Sequence, residues 1–113
     1  MKKFTTNFLE EANQFLASLD RKSAAKLLFI IDAAESANNP KLFKKLNGKL
    51  WEFRSKYLGK QNRLLAFWDK SGKKETLVIA THGFVKKSRK TPLKEISKAE
   101  QLRELYFSNK SMK

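Results

Sequence analysis

Residues 50–57, Leu-Trp-Glu-Phe-Arg-Ser-Lys-Tyr, place Trp51, Phe53 and Tyr57 in alternation with Glu52, Arg54 and Lys56. A period of two is the mark of a strand that buries one face and leaves the other to solvent. Two further β-rich runs follow: Arg63 to Trp68 after the break at Leu58-Gly59-Lys60, and Thr76 to Thr81 after Lys70-Ser71-Gly72-Lys73. Three runs joined by short turns predict an antiparallel meander. Its register bears on chemistry. If facing residues of the first hairpin have numbers summing to 120, Arg63 joins Trp51 and Phe53 in the core. A sum of 119 or 121 instead sets Arg63 beside Glu52, Arg54 and Lys56, and sends Leu64, Ala66 and Trp68 to the aromatic side. Burying an unpaired guanidinium is expensive, and a one-residue slip exchanges the faces, so the second arrangement is expected. Both faces of the third run are apolar, which leaves the direction of His82 open.

Upstream, Phe8, Leu9, Ala12, Phe15, Leu16 and Leu19 form the apolar stripe of an amphipathic helix. Asp20 or Ser23 starts a second, with Ala24, Leu27, Leu28, Ile31 and Ala34 as its stripe and Asn38-Asn39-Pro40 as its end. Downstream, Thr91-Pro92 reads as a cap followed by a first-turn proline, and Ile96, Ala99, Leu102, Leu105 and Tyr106 give the closing helix its apolar face. The order α-α-β-β-β-α predicts one α+β domain over residues 1–113, with helices on one face of a small antiparallel sheet and the other face open.

The 113 residues carry 25 Lys and Arg against 11 Asp and Glu, a net charge of +14. The excess is segregated. Residues 41–94 hold 13 Lys and three Arg against Glu52, Asp69 and Glu75, whereas residues 1–40 are neutral. Charge added for solubility alone would be spread out, so the segregation points to a face for an anionic partner. The absence of cysteine excludes disulfides, iron–sulfur clusters and thiolate zinc sites, and a single histidine excludes multi-histidine metal sites. No metal or cofactor is expected. The longest apolar run, Ala24 to Ile31, is interrupted by Lys26 and falls far short of a membrane span. Asn7, Glu10, Glu11 and Asn13 stand where a signal peptide after Met1-Lys2-Lys3 would be apolar, so a cytoplasmic location is expected.

Only five arginines accompany 20 lysines, so Arg54 and Arg63 on adjacent strands are a specific feature. Guanidinium forks hold phosphate oxygens in fixed geometry. Glu52 beside them supplies a candidate general base, and His82 or a lysine a candidate acid. The set suits metal-free RNA cleavage, in which the 2′-hydroxyl attacks the adjacent phosphate while the arginines stabilise the developing charge. Each member also has a plainer reading: Glu52 as a cross-strand ion-pair partner, His82 as a structural histidine, and Lys86, Lys87, Arg89 and Lys90 as an electrostatic footprint for RNA.

Leu50-Trp51-Glu52-Phe53-Arg54, Arg63-Leu64-Leu65-Ala66-Phe67 and His82-Gly83-Phe84-Val85-Lys86-Lys87, followed by Lys90-Thr91-Pro92 and Glu95-Ile96, make the chain resemble the phage-derived HigB-like toxins of the RelE superfamily from about Leu42 to Tyr106. The resemblance implies a RelE-like fold, ribosome-dependent mRNA cleavage, and inhibition by a HigA-like helix-turn-helix antitoxin. The family pattern has basic residues where Glu52 and Arg54 stand, an arginine at Arg63 and another basic residue near Lys86 or Lys87, and the chain departs from it at Glu52 and at Ser88-Arg89. Taken with the residues themselves, the scissile phosphate is expected on Arg54 and Arg63, proton transfer from Glu52 or His82, and RNA contacts at Lys56, Lys86, Lys87, Arg89 and Lys90. RelE proteins usually open with a β-strand, for which only Lys2 to Thr6 is available here, so that strand is expected to be short or missing. The competing expectations are a non-catalytic RNA-binding or ribosome-associated module using the same basic face, and a structural partner of an acidic protein.

Overall fold

A computed structural model describes residues 2–72 and 74–111, so Lys73 of the expected turn and the terminal residues Met1, Met112 and Lys113 lie outside the described residues. The elements are β1 (Thr5–Phe8), α1 (Glu10–Ser18), α2 (Arg21–Ser36), β2 (Phe43–Asn47), β3 (Leu50–Tyr57), β4 (Lys60–Asp69), β5 (Leu77–Lys86) and α3 (Leu93–Ser111). The class is α+β, as expected.

Tyr57 pairs with Lys60, which leaves Leu58 and Gly59 alone to turn the chain between β3 and β4. Both have positive φ, 50° and 77°. That is what a two-residue turn matched to strand twist requires. The turn fixes the facing pairs at a sum of 117, from Leu50 opposite Phe67 to Arg54 opposite Arg63. The expected 119 is off by one full pleat and 121 by two, but the parity is the same, so every side chain of the hairpin lies on the face predicted for it.

The sheet itself departs from the expected meander. It is mixed and five-stranded, in the order β1-β5-β4-β3-β2, with β1 parallel to β5 and the other pairings antiparallel. Phe8 closes β1 instead of opening α1, and the first strand, short as expected, lies at residues 5–8. The strand β2 was not anticipated because Phe43–Asn47 contains two consecutive lysines and a bulge, which blur its alternation. The helix α2 begins at Arg21, where Asp20 accepts hydrogen bonds from the Ser23 backbone N–H at 3.1 Å and its hydroxyl at 2.7 Å. The closing helix starts at Leu93, one residue later than expected, with the Pro92 carbonyl accepting from Glu95 and Ile96.

The larger correction concerns the open face. Both faces carry a helix. α1 packs over β5 and α2 over β3, burying Phe53, Leu64, Ala66, Val78 and Ala80 with Leu27 and Ile31. α3 lies on the opposite side, where Leu50, Leu65, Phe67, Ile79 and Phe84 meet Ala99, Ile96, Tyr106 and Phe107. Those five sheet residues form an apolar area that water would otherwise wet, and its burial draws the closing helix across. Only the end of that face bearing Arg54, Gln61 and Lys86 remains open; Glu52 and Arg63, expected on the open surface, lie on the predicted side but are buried there.

Polar contacts fasten α3 near both ends. Near its start, His82 Nε2 meets Glu95 Oε1 at 3.0 Å. Near its end, the buried Asp69 carboxylate accepts from the Tyr106 hydroxyl and Lys110 Nζ, each at 2.6 Å, and from Ser71. Burial pushes the Asp69 carboxyl up, but the hydrogen bonds from Lys110, Ser71 and Tyr106 outweigh it and hold it well below the usual carboxylate range. Burial and the Asp69 contact together push the Tyr106 hydroxyl up to about 12. Because the folded-state pKa of Asp69 is depressed, its contribution is complete above a pH of about 4 and fades as the pH falls through the carboxylate range. Asp69→Asn is therefore expected to lower stability by about 1–3 kcal/mol at neutral pH. Denaturant midpoints for wild type and variant should converge on acidification; a constant gap would contradict this assignment.

Candidate anion-binding site

The register sets three cross-strand rows on the face shared with α3: Glu52, Leu65 and His82; then Arg54, Arg63 and Phe84; then Lys56, Gln61 and Lys86. Directly facing residues have Cβ atoms about 4.5–5.5 Å apart, and like charges in that relation are destabilising. Glu52 offsets the repulsion. Its Oε1 lies 3.6 Å from Arg54 Nε and 3.7 Å from Arg63 Nε. Glu52 and Arg63 are both buried, each about 4% exposed, whereas Arg54 is half-buried. The cluster thus holds two cations and one anion.

Arg63 is held on its other side as well. Its Nη2 donates to Gln61 Oε1 at 2.9 Å and its Nη1 to the Asn62 carbonyl at 3.4 Å. Burial pulls the Arg63 pKa down, Glu52 opposes this and Arg54 adds to it. A guanidinium has five N–H donors, and the protein accepts from only part of this set. Glu52 Oε2 and both Nε atoms have no hydrogen-bond partner among the described residues. Such buried, unfilled polar capacity is uncommon in a folded domain.

An open groove of about 570 Å³ begins at Arg54, Gln61 and Arg63 and continues along Lys86, Lys87 and Arg89. Lys56 is exposed at the end of β3 next to this cluster. Lys90 is exposed on the β5–α3 connection but does not line the groove; its carbonyl accepts from the Ser88 hydroxyl at 2.9 Å. Another groove of about 540 Å³, between Leu9–Glu11 and Leu102–Lys110, is mostly apolar and has no convergent cations.

His82 does not join the open groove. It shares a row with Glu52, but Leu65 separates them, and the ring is buried beneath the start of α3. Its placement comes from a bulge. Leu65 faces His82 and Ala66 faces Ala80, so Thr81 is the extra residue and its hydroxyl reaches the Leu65 carbonyl at 3.2 Å. A bulge re-aims the side chains that follow it. Burial pulls the His82 pKa down, with Glu95 opposing. A neutral ring protonated at Nε2 donates to Glu95, and the single Thr81 hydroxyl proton then serves either the Leu65 carbonyl or Nδ1, which lie 3.2 and 3.1 Å from its oxygen. The same bulge turns Gly83 toward α1, where an added Cβ would overlap the Phe15 ring. Gly83→Ala is expected to cost about 1–3 kcal/mol through overpacking, read as a lower melting temperature; unchanged melting would contradict the close packing.

Gln61 is a site residue that the sequence reading passed over. Its only sequence signal is a polar side chain two positions before an arginine on a strand, which places both on the same face.

A small α+β scaffold, with an acid-buttressed arginine pair beside a lysine-lined groove at one end of its sheet, is the class these features define. The profile of the phage-derived Gp49-like proteins (DUF891) matches residues 14–104, and the chain belongs to that family, which is associated with toxin–antitoxin modules. The match spans all of Glu52, Arg54, Arg63, His82 and the Lys86–Lys90 segment. The search of curated proteins finds no match. Among the described residues no helix is long and apolar enough to cross a membrane.

Proposed function

We propose that the protein is the toxin of a HigB/HigA-type pair, a RelE-superfamily endoribonuclease that cleaves mRNA on the ribosome in the cytoplasm and is silenced by a helix-turn-helix antitoxin. The observation that carries this reading is the directly opposed pair Arg54 and Arg63, bridged by Glu52 and opening onto a lysine-lined groove. The guanidinium groups bind the scissile phosphate and stabilise the charge that builds on its equatorial oxygens. The 2′-oxygen forms its bond to phosphorus, the bond to the 5′-oxygen breaks, and the products are a 2′,3′-cyclic phosphate and a 5′-hydroxyl. The 2′-hydroxyl proton passes to solvent water, and Lys86 or Lys87 supplies one to the leaving oxygen. Glu52, whose Oε2 is buried and which does not line the groove, holds the two arginines rather than moving the proton. His82, engaged by Thr81 and Glu95, positions α3 in this scheme. DNA lacks the attacking hydroxyl and is not cut.

Purified ribosomes programmed with mRNA test the reading. New 3′ ends bearing a cyclic or terminal phosphate are expected on addition of the protein. Binding without new ends would reduce it to an RNA-binding or ribosome-associated module.

A further inference from the structure

Arg54, Gln61 and Arg63 also line a second groove, of about 470 Å³, on the side of β3 away from Lys86 and Lys87. Lys26 and Ile30 of α2, Lys41 and Leu42 of the α2–β2 connection, and Lys56 form much of its wall. No acid lines it among the described residues, and Lys26, Lys41 and Lys56 take part in no ion pair there. Lys41 and Lys56 are exposed, and Lys26 lies over the Phe29 ring at 5.8 Å. Three cations from three separate segments therefore surround one concavity without a counter-charge.

The backbone adds a further donor. The strand β2 begins at Phe43 opposite Phe53, and the Arg54 N–H donates to the Leu42 carbonyl at 2.8 Å. Beyond Arg54, no strand pairs with this edge of β3 among the described residues. Strand alternation turns the Lys56 N–H toward the same edge, where it is open to a ligand. Ser55 lines the groove too; it is 1% exposed and its hydroxyl has no hydrogen-bond partner among the described residues.

We propose that this groove is a second phosphate-binding arm. Single-stranded RNA crosses Arg54 and Arg63 with its backbone held by Lys26, Lys41 and Lys56 on the β3 side and by Lys86, Lys87 and Arg89 on the β5 side. The inference rests on the nuclease reading for the identity of the polymer, and it adds α2 and the α2–β2 connection to the substrate path. Sites of about 300–1,000 Å³ hold ligands of drug or nucleotide size. Two such grooves meeting at one arginine pair suit a strand held on both sides of the scissile phosphate.

The experiment is the salt dependence of binding, read by fluorescence anisotropy with a short labelled oligoribonucleotide whose 2′-oxygens are methylated to prevent cleavage. Each phosphate neutralised on a single strand adds about 0.7 to the magnitude of the log–log slope. The double variant Lys26→Gln/Lys41→Gln is expected to lower that magnitude by about 1.4. Lys22→Gln/Lys94→Gln removes the same charge outside both grooves and should leave the slope in place. An unchanged slope in the groove variant, or an equal drop in the control pair, would overturn the second arm. Failure of the wild type to cut mRNA on ribosomes would sink the nuclease reading alone, because the binding comparison uses an RNA that cannot be cut.

Discussion

Arg63→Ala should fold and should lose about 100- to 1,000-fold in cleavage rate, the loss that removing one preorganised donor from a developing oxyanion brings. The charge balance of the cluster makes the two halves of this expectation compatible. With Arg63 gone, Glu52 keeps Arg54 at 3.6 Å, and one cation still faces one anion. The variant also removes a guanidinium that burial disfavours. What disappears is the second fork on the phosphate. Arg63→Lys keeps the charge without the planar pair of donors and should fall between wild type and alanine. Programmed ribosomes give the rate, growth arrest on induced expression gives the consequence in cells, and circular dichroism reports the fold. Undiminished toxicity of a folded Arg63→Ala protein would remove the arginine pair from the mechanism.

Glu52→Gln should behave in the opposite way. Shape is nearly conserved, but the only anion in the cluster is lost, and Arg54 and Arg63 then face each other across β3 and β4 without compensation. Removing one partner of a buried ion pair costs about 3–5 kcal/mol, because the remaining charge is desolvated and unpaired. For a domain of this size that corresponds to a melting temperature lower by roughly 12–20 °C, at about 4 °C per kcal/mol. A polyanion bound over the arginines should restore more stability to Glu52→Gln than to wild type, since it supplies the lost counter-charge. A melting temperature within a degree or two of wild type would show that Glu52 does not hold the arginines in place. The pair of substitutions thus separates a group needed for chemistry from one needed first to make the arginine arrangement possible.

Much of this site could be read along the chain because strands have a period of two. Once Trp51, Phe53 and Tyr57 had to be buried, Glu52 and Arg54 had to share the other face, and the cost of burying an unpaired guanidinium put Arg63 with them. An error of one or two full pleats in register left that partition intact. The stripes of α1, α2 and α3 were equally local, as was the Asp20 cap, although Leu28 and Leu105, expected on the apolar faces, stand exposed. The two outer strands were harder. β1 has four residues and a parallel partner far along the chain, and β2 carries a bulge; neither offers a local signal strong enough to separate it from a loop.

His82, Gln61 and the lysines of the second groove show where local reading stops. The side on which His82 lies depends on Thr81 being the one residue too many in β5, a difference in count between two paired strands that neither strand contains by itself. Lys26 appears in sequence only as a charge interrupting an apolar run, and Lys41 only as one lysine before a strand. They line one wall with Lys56 because α2 crosses β3 and β2 stops short. Composition and alternation determined by themselves that positive charge would gather around an arginine pair on one face of a sheet. Tertiary packing alone decided how much of that face stays open, because α3 goes wherever it buries the most apolar area, and Leu50, Leu65, Phe67 and Ile79 lie toward the end away from the arginines, with Phe84 alone in the arginines' row.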